Sequence, residues 1–268
     1  MTHSHAEIQA LLNLHGLKPS RALGQNFVGD ANTVRRIVRL AEVAPGDRVV
    51  EVGPGLGSLS LALLEAGAQL TVVELDRFLV PILEQMLHGA RVVHADALEV
   101  DWPELLGDDG WVLVANLPYN VATPLVLEVL ERAPMVQRML VMVQKEVGDR
   151  FAARPRTKAY GAVSVKVAWS ATAAVVGKVP PTVFVPKPNV DSALVRFDRH
   201  ANVGDAAERA RVFALIDAGF ATRRKMLRNN IDVDEACFTA AGVAPTARAE
   251  ELDLDAWRRL AACSHPRS

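Results

Sequence analysis

Glu51-Val52-Gly53-Pro54-Gly55-Leu56-Gly57 is the stretch on which the fold turns. It closes the apolar run Arg48-Val49-Val50-Glu51-Val52, which reads as a buried strand. Ser58 to Ala66 follows as a helix stopped by Gly67. Strand, glycine turn and helix in that order open a βαβ unit. Downstream, strands at Gln69 to Leu75, Arg91 to His94, Trp111 to Ala115 and Met139 to Val143 alternate with helices at Phe78 to Leu87 and Pro124 to Arg132. This order predicts a mostly parallel, doubly wound α/β sheet. Such sheets bind ligands at the carboxyl ends of their strands.

Upstream lie a short helix, Ala6 to Leu14, a polar stretch, Lys18 to Asn26, and a helix from Ala31 to Leu40. The pattern changes at Pro180-Pro181: Thr182 to Asn189 is proline-rich and extended, and Ser192 to Phe197 alternates like a strand. After His200 the chain reads as helices only, at Ala206 to Ala221, Arg223 to Asn229, Asp234 to Ala241 and Asp255 to Ala262. The expected organisation is a catalytic domain over 1–200 and a small helical domain over 201–268.

The composition excludes several classes. Half of the 268 residues are apolar, enough for a sizeable core and too many for global disorder. No run is long enough to span a bilayer, and no signal peptide is evident; a cytoplasmic protein is expected, because the two cysteines fit a reducing cytosol. Cys237 and Cys263 stand far apart in the sequence and suggest neither a disulfide framework nor a zinc site. Without coiled-coil signals, monomer is the default. The net charge is −1, but three segments are locally basic: Lys18 to Arg21; Lys145 with Arg150, Arg154, Arg156 and Lys158; and Arg223, Arg224, Lys225 and Arg228. A patched surface of this kind fits an RNA partner. Any one patch alone fits a solvated face equally well.

The glycines let backbone N–H groups approach a ligand. The dinucleotide fingerprint needs glycine where this chain has Ser58, which disfavours a nicotinamide or flavin. The alternative is S-adenosyl-L-methionine, which carries no phosphate. Glu74, about 20 residues past the turn, stands where an acid takes ribose hydroxyls. Asp96 ends the third strand, where a carboxylate can accept from an adenine amino group. Strand-end acids also serve as plain helix caps.

Asn116-Leu117-Pro118-Tyr119 follows the fourth strand. The exocyclic amine of a planar base is a poor nucleophile, because its lone pair is delocalised into the ring. Two acceptors aimed at its hydrogens free that lone pair. The Asn116 side-chain oxygen and the Leu117 or Pro118 carbonyl can supply them. Pro118 fixes the backbone and removes a competing donor. Tyr119 offers a flat face for the base. The donor is already a sulfonium, so placement and electrostatics suffice without a strong general base.

The chain resembles the small-subunit rRNA adenine dimethyltransferases from about Ala22 to Leu260. The resemblance rests on Leu23-Gly24-Gln25-Asn26-Phe27, the glycine turn, Val73-Glu74-Leu75-Asp76, Asp96-Ala97-Leu98 and the Asn116 tetrad. It continues through Gln144-Lys145-Glu146-Val147, Tyr160-Gly161, Phe184-Val185-Pro186-Lys187-Pro188-Asn189-Val190-Asp191-Ser192 and Arg223-Arg224-Lys225-Met226-Leu227. It implies a Rossmann-like class I methyltransferase sheet and methylation of N6 on two adjacent adenosines, in the 3′-terminal hairpin loop of 16S rRNA. The expected partner is the immature small ribosomal subunit. The resemblance further implies that Asn26, Val28, Gly53, Gly55, Glu74, Asp96 and Asn116 line the cofactor pocket. Val28 stands where the family usually has leucine, and a backbone contact survives that change. Tyr119 and Phe184 resemble two aromatics that hold the target base. Arg150, Arg154, Arg223, Arg224 and Lys225 are the expected RNA contacts, with a tie between domains as the rival role for the Arg223 cluster. Competing readings are a large-subunit adenine methyltransferase and a non-catalytic assembly factor.

Overall fold

Valines and leucines recur without polar alternation in the central strands, because both faces of the sheet are covered. Val49, Leu70, Val72, Val112, Val114, Leu140 and Met142 join one buried cluster with residues of the first four helices. Their neighbours Val50, Val73, Leu113, Ala115, Val141 and Val143 are equally buried and point to the opposite face by the two-residue period. The computed structural model describes residues 2–108, 110–222 and 225–263.

The elements in chain order begin α1 (His5–Leu14), β1 (Phe27–Val28), α2 (Ala31–Leu40), β2 (Arg48–Val52), α3 (Ser58–Glu65), β3 (Gln69–Glu74) and α4 (Val80–Met86). Next come β4 (Arg91–His94), α5 (Trp102–Leu106), β5 (Trp111–Asn116), α6 (Ala122–Arg132), β6 (Val136–Gln144), α7 (Lys145–Phe151) and α8 (Ala162–Ser170). The chain continues with β7 (Ala171–Val179), β8 (Phe184–Val185), β9 (Ser192–Arg199), α9 (Ala206–Phe220), α10 (Glu235–Ala240) and α11 (Leu254–Cys263). Seven strands form one sheet in the order β4-β3-β2-β5-β6-β9-β7. Strands β2 to β6 pair in parallel, and β9 runs antiparallel to β6. The strand order reverses between β2 and β5, and a crevice opens at such a switch point. β1 and β8 form a separate antiparallel ribbon, with Val28 opposite Phe184.

Arg199, at the end of β9, fixes the helix that follows the tetrad. Its guanidinium donates to the carbonyls of Val129, Leu130, Ala133 and Val136 at 2.7–3.1 Å. The first three belong to the last turn of α6 and its cap, where carbonyls lack helical partners.

The chain divides into two compact units, Met1–Gly148 with Ala173–Arg199, and Asp149–Thr172 with His200–Ser268. The tail therefore does not stand alone after residue 200. It takes in Asp149–Thr172, which the sequence reading placed in the first domain. Tyr160, Val165 and Trp169 from that segment share a core with Val212, Ile216, Phe238, Trp257 and Leu260. The Tyr160 hydroxyl donates to the Leu252 carbonyl at 2.7 Å. α8 and β7 were not foreseen because Ala162 to Val179 is a continuous Ala/Val-rich run with no breaker between helix and strand. The helix expected over Arg223 to Asn229 is a single 3-10 turn, Leu227–Asn229. Arg223 and Arg224 lie outside the described residues.

Cys237 and Cys263 correct the cysteine reading. They are bonded across α10 and α11, with Cα atoms 5.7 Å apart and a sequence separation of 26. Spacing along the chain could not reveal this, because the packing of α10 on α11 brings them together. A loop of that length corresponds to about 3.5 kcal/mol on the chain-entropy relation. Thiol titration of unreduced protein should find both cysteines protected, and a reductant should lower the melting temperature.

Candidate active site

A cleft opens at the carboxyl ends of β2, β3 and β5, where the glycine turn, Glu74, Asp96 and the Asn116 tetrad all line one space. Gly53, Gly55 and Gly57 adopt φ of 66°, 59° and 76°, which L side chains rarely tolerate. Space restricts two of them as well. A Cβ on Gly55 would stand 2.8 Å from the Phe27 ring, and one on Gly57 would stand 2.5 Å from the Met86 methyl. Gly57 is also the N-cap of α3 and offers that helix no side-chain cap. Beside it the Ser58 hydroxyl, on the cleft wall, is buried without a partner among the described residues. A built recess with an unmatched hydroxyl fits a polar ligand group.

Charge narrows the ligand. Glu51, Glu74 and Asp96 line the cleft, while no Lys, Arg or His does among the described residues. A phosphate would meet the carboxyl groups of Glu74 and Asp96 with no counter-charge. A cationic, phosphate-free cofactor suits this lining, and S-adenosylmethionine carries its positive charge on sulfur. The Glu74 carboxylate is held from two sides, accepting from Gly55 N–H at 3.2 Å and Asp76 N–H at 2.8 Å. Burial raises its pKa above the ordinary carboxylate range, partly offset by those bonds. Asp96 accepts from Leu98 N–H at 2.9 Å, a cap-like turn that leaves its second oxygen for the cleft.

Glu51 carried no role in the sequence reading, where it was only the first letter of the glycine motif. It is 1% exposed, and burial pushes its carboxyl up from 4.5 to about 8. The bond from the Ser60 hydroxyl at 2.6 Å lowers it, and the charge of Glu74 raises it. Between those pH values the folded chain holds a proton that the unfolded chain has lost. This contribution to stability is therefore full below 4.5 and declines as pH rises to about 8. Glu51→Gln should flatten the stability profile across that window, as measured by urea unfolding at successive pH values.

The tetrad is fixed by its neighbours. Asn116 Nδ2 donates to the Asn26 carbonyl at 2.9 Å, which sets the amide orientation and leaves Oδ1 on the other side. Leu117 N–H donates to the Met142 carbonyl at 3.0 Å. The Pro118 carbonyl accepts from Val121 N–H at 3.2 Å. The Tyr119 hydroxyl lies 2.8 Å from Ser192 Oγ, and its ring is partly exposed in the cleft. Ser192 is fully buried. It was quoted within a motif, but only the tertiary fold places it against Tyr119.

Asn26, Val28, Gly53, Gly55, Glu74, Asp96, Asn116, Leu117, Pro118 and Tyr119 are thus brought together on one cleft. Phe184 is not among its lining residues. Its side chain is 2% exposed and packs in the cluster that contains Phe27, Val28 and Leu194. The proline-rich loop starts as ribbon strand β8, and pairing with β1 turns the aromatic inward. Arg150, Arg154 and Lys225 are exposed residues of the second unit. Gln25 was also missed as a functional residue, although it stands in the wall of the cleft.

The ribosomal RNA adenine dimethylase family model matches residues 16–264. The chain is 52% identical to ribosomal RNA small subunit methyltransferase A of Leifsonia xyli subsp. xyli (strain CTCB07), over 96% of each chain. It is 48% identical to the protein of the same name from Streptomyces griseus subsp. griseus, over 96% of this chain and 93% of that one. The crystal structure of 23S rRNA methyltransferase ErmE superposes with a TM-score of 0.69 at 28% identity, covering 88% of this chain and 98% of the other. A dimethyladenosine transferase from Plasmodium falciparum superposes with a TM-score of 0.71 at 20% identity, covering 87% and 95%, which speaks to the fold alone. With the acid-lined cleft, the glycine turn and the tetrad in one place, the chain belongs to the ribosomal RNA adenine dimethylase family, and it is an S-adenosylmethionine-dependent rRNA adenine dimethyltransferase.

Proposed function

We propose that the chain dimethylates N6 of two adjacent adenosines in the 3′-terminal hairpin loop of 16S rRNA, on immature small ribosomal subunits late in their assembly. One observation carries this reading: the Asn26 carbonyl fixes the Asn116 amide beside a cleft lined by acids and free of basic side chains among the described residues. When bound, S-adenosylmethionine supplies an electrophilic methyl group on its sulfonium. Glu74 would take its ribose hydroxyls, and Asp96 its adenine amino group. Asn116 Oδ1 accepts one hydrogen of the target amine. The Leu117 carbonyl is the better second acceptor, because the Pro118 carbonyl is already engaged by Val121. Held this way, the target nitrogen would present its lone pair to that methyl group, and the proton it gives up on transfer would pass to solvent. The Tyr119 ring stacks the base, with its hydroxyl anchored on Ser192.

The substrate assignment is supported by relatives named for the small subunit at 48–52% identity, against 28% for the 23S enzyme. Exposed Arg150, Arg154 and Lys225, with Arg223 and Arg224, are proposed to hold RNA phosphates. The protein is taken to act as a cytoplasmic monomer. The test is transfer of labelled methyl groups to small subunits lacking the modification, with large subunits and duplex DNA as controls. Dimethyladenosine on the small subunit alone is expected. Methylation of large subunits would move the enzyme to the other branch. Cofactor binding with no transfer to any RNA would favour an assembly factor.

A further inference from the structure

The segment Ser20 to Val28 crosses the cleft as a strap between its two halves. Toward the cofactor half, Gln25 Nε2 donates to Asp76 Oδ2 at 2.8 Å. Asp76 N–H in turn donates to Glu74 Oε1 at 2.8 Å. Toward the tetrad half, the next residue, Asn26, accepts from Asn116 Nδ2 at 2.9 Å. A continuous chain of bonds therefore joins the carboxylate of Glu74 to the amide of Asn116, and Gln25 is its middle link. The Gln25 side chain also braces its own strap, since Ser20 N–H donates to Gln25 Oε1 at 2.8 Å. The outer oxygen of Asp76 is likewise fixed, because Asp76 Oδ1 accepts from Phe78 N–H at 3.0 Å.

We propose that Gln25 is a positioning residue that latches the strap to Asp76, and thereby couples seating of the cofactor to the orientation of Asn116. The strap supplies residues 22–28 to the pocket wall, Asn26 and Val28 among them, and the carbonyl that turns the Asn116 amide. A loosened latch therefore weakens cofactor binding and misaims the amine acceptor together. This inference rests on the methyl-transfer reading only for its second half.

The polarity of the latch makes it testable by exchange. Gln25→Glu sets two carboxylates face to face. Asp76→Asn sets two N–H₂ groups face to face. Flipping either amide only moves the clash onto Ser20 N–H or Phe78 N–H. The double substitution restores every bond with the donor now on residue 76. Cofactor dissociation constants from calorimetry, and kcat at saturating cofactor on immature small subunits, are to be measured for the four proteins. Each single substitution should weaken cofactor binding and lower kcat by about tenfold each, and the double should return within about threefold of wild type. A purely structural role would lower the melting temperature while leaving kcat at saturation unchanged, and would overturn the proposal. So would a double substitution no better than the worse single. The binding arm needs no RNA. If wild type takes up cofactor yet methylates no small subunit, the substrate reading fails, and the affinities alone decide the latch: rescue supports it, and no rescue ends it.

Discussion

Asn116→Ala should lower kcat on small subunits by about 10²- to 10³-fold while the fold remains, with a smaller loss of cofactor affinity from the released strap. The reason lies in what the side chain does on its two edges. Its nitrogen donates to the Asn26 carbonyl, so its oxygen is held in place before the substrate arrives. An acceptor that is already oriented needs no reorganisation as the amine becomes pyramidal. Alanine removes that acceptor and also releases the strap carbonyl. Asn116→Asp separates these two roles. It keeps an oxygen toward the amine but sets a carboxylate against the Asn26 carbonyl, so cofactor affinity should fall along with kcat. Single-turnover kinetics with bound cofactor would read the chemical step directly. An Asn116→Ala enzyme with a wild-type rate would exclude Asn116 as the acceptor.

Phe184→Ala should cost about 3–5 kcal/mol of stability. Its ring is 2% exposed and packs within the main core of the first unit, so removal leaves a cavity. Urea unfolding should show a lower midpoint. The same change at Tyr119, whose ring is partly exposed, should cost less stability and more activity. This contrast separates the two aromatics that the sequence grouped as a pair. If Phe184→Ala melted like wild type but lost base binding, the ring would belong to the cleft after all.

Much of this enzyme was legible in the chain because its signals are local. The strand at Arg48 to Val52, its glycine turn and the helix after it lie in one continuous stretch, and positive φ selects the glycines directly. Glu74 and Asn116 could be placed because they end β3 and β5, and Asp96 because it follows β4 by two residues, and parallel strands bring their ends to one edge. Hydrophobic patterning also marked six of the seven strands of the main sheet, all but β7, before any contact was known. Burial and partnership were not local, and only the tertiary structure decided them. Phe184 turns inward because β8 pairs with β1. Asp149–Thr172 joins the helical unit because Tyr160 and Trp169 complete its core. Cys237 meets Cys263 because α10 packs beside α11. The Gln25 latch to Asp76 closes over 51 residues of sequence. Periodicity reports which face of an element is apolar, whereas a partner across the fold depends on how those faces dock, and the folded chain alone fixes that.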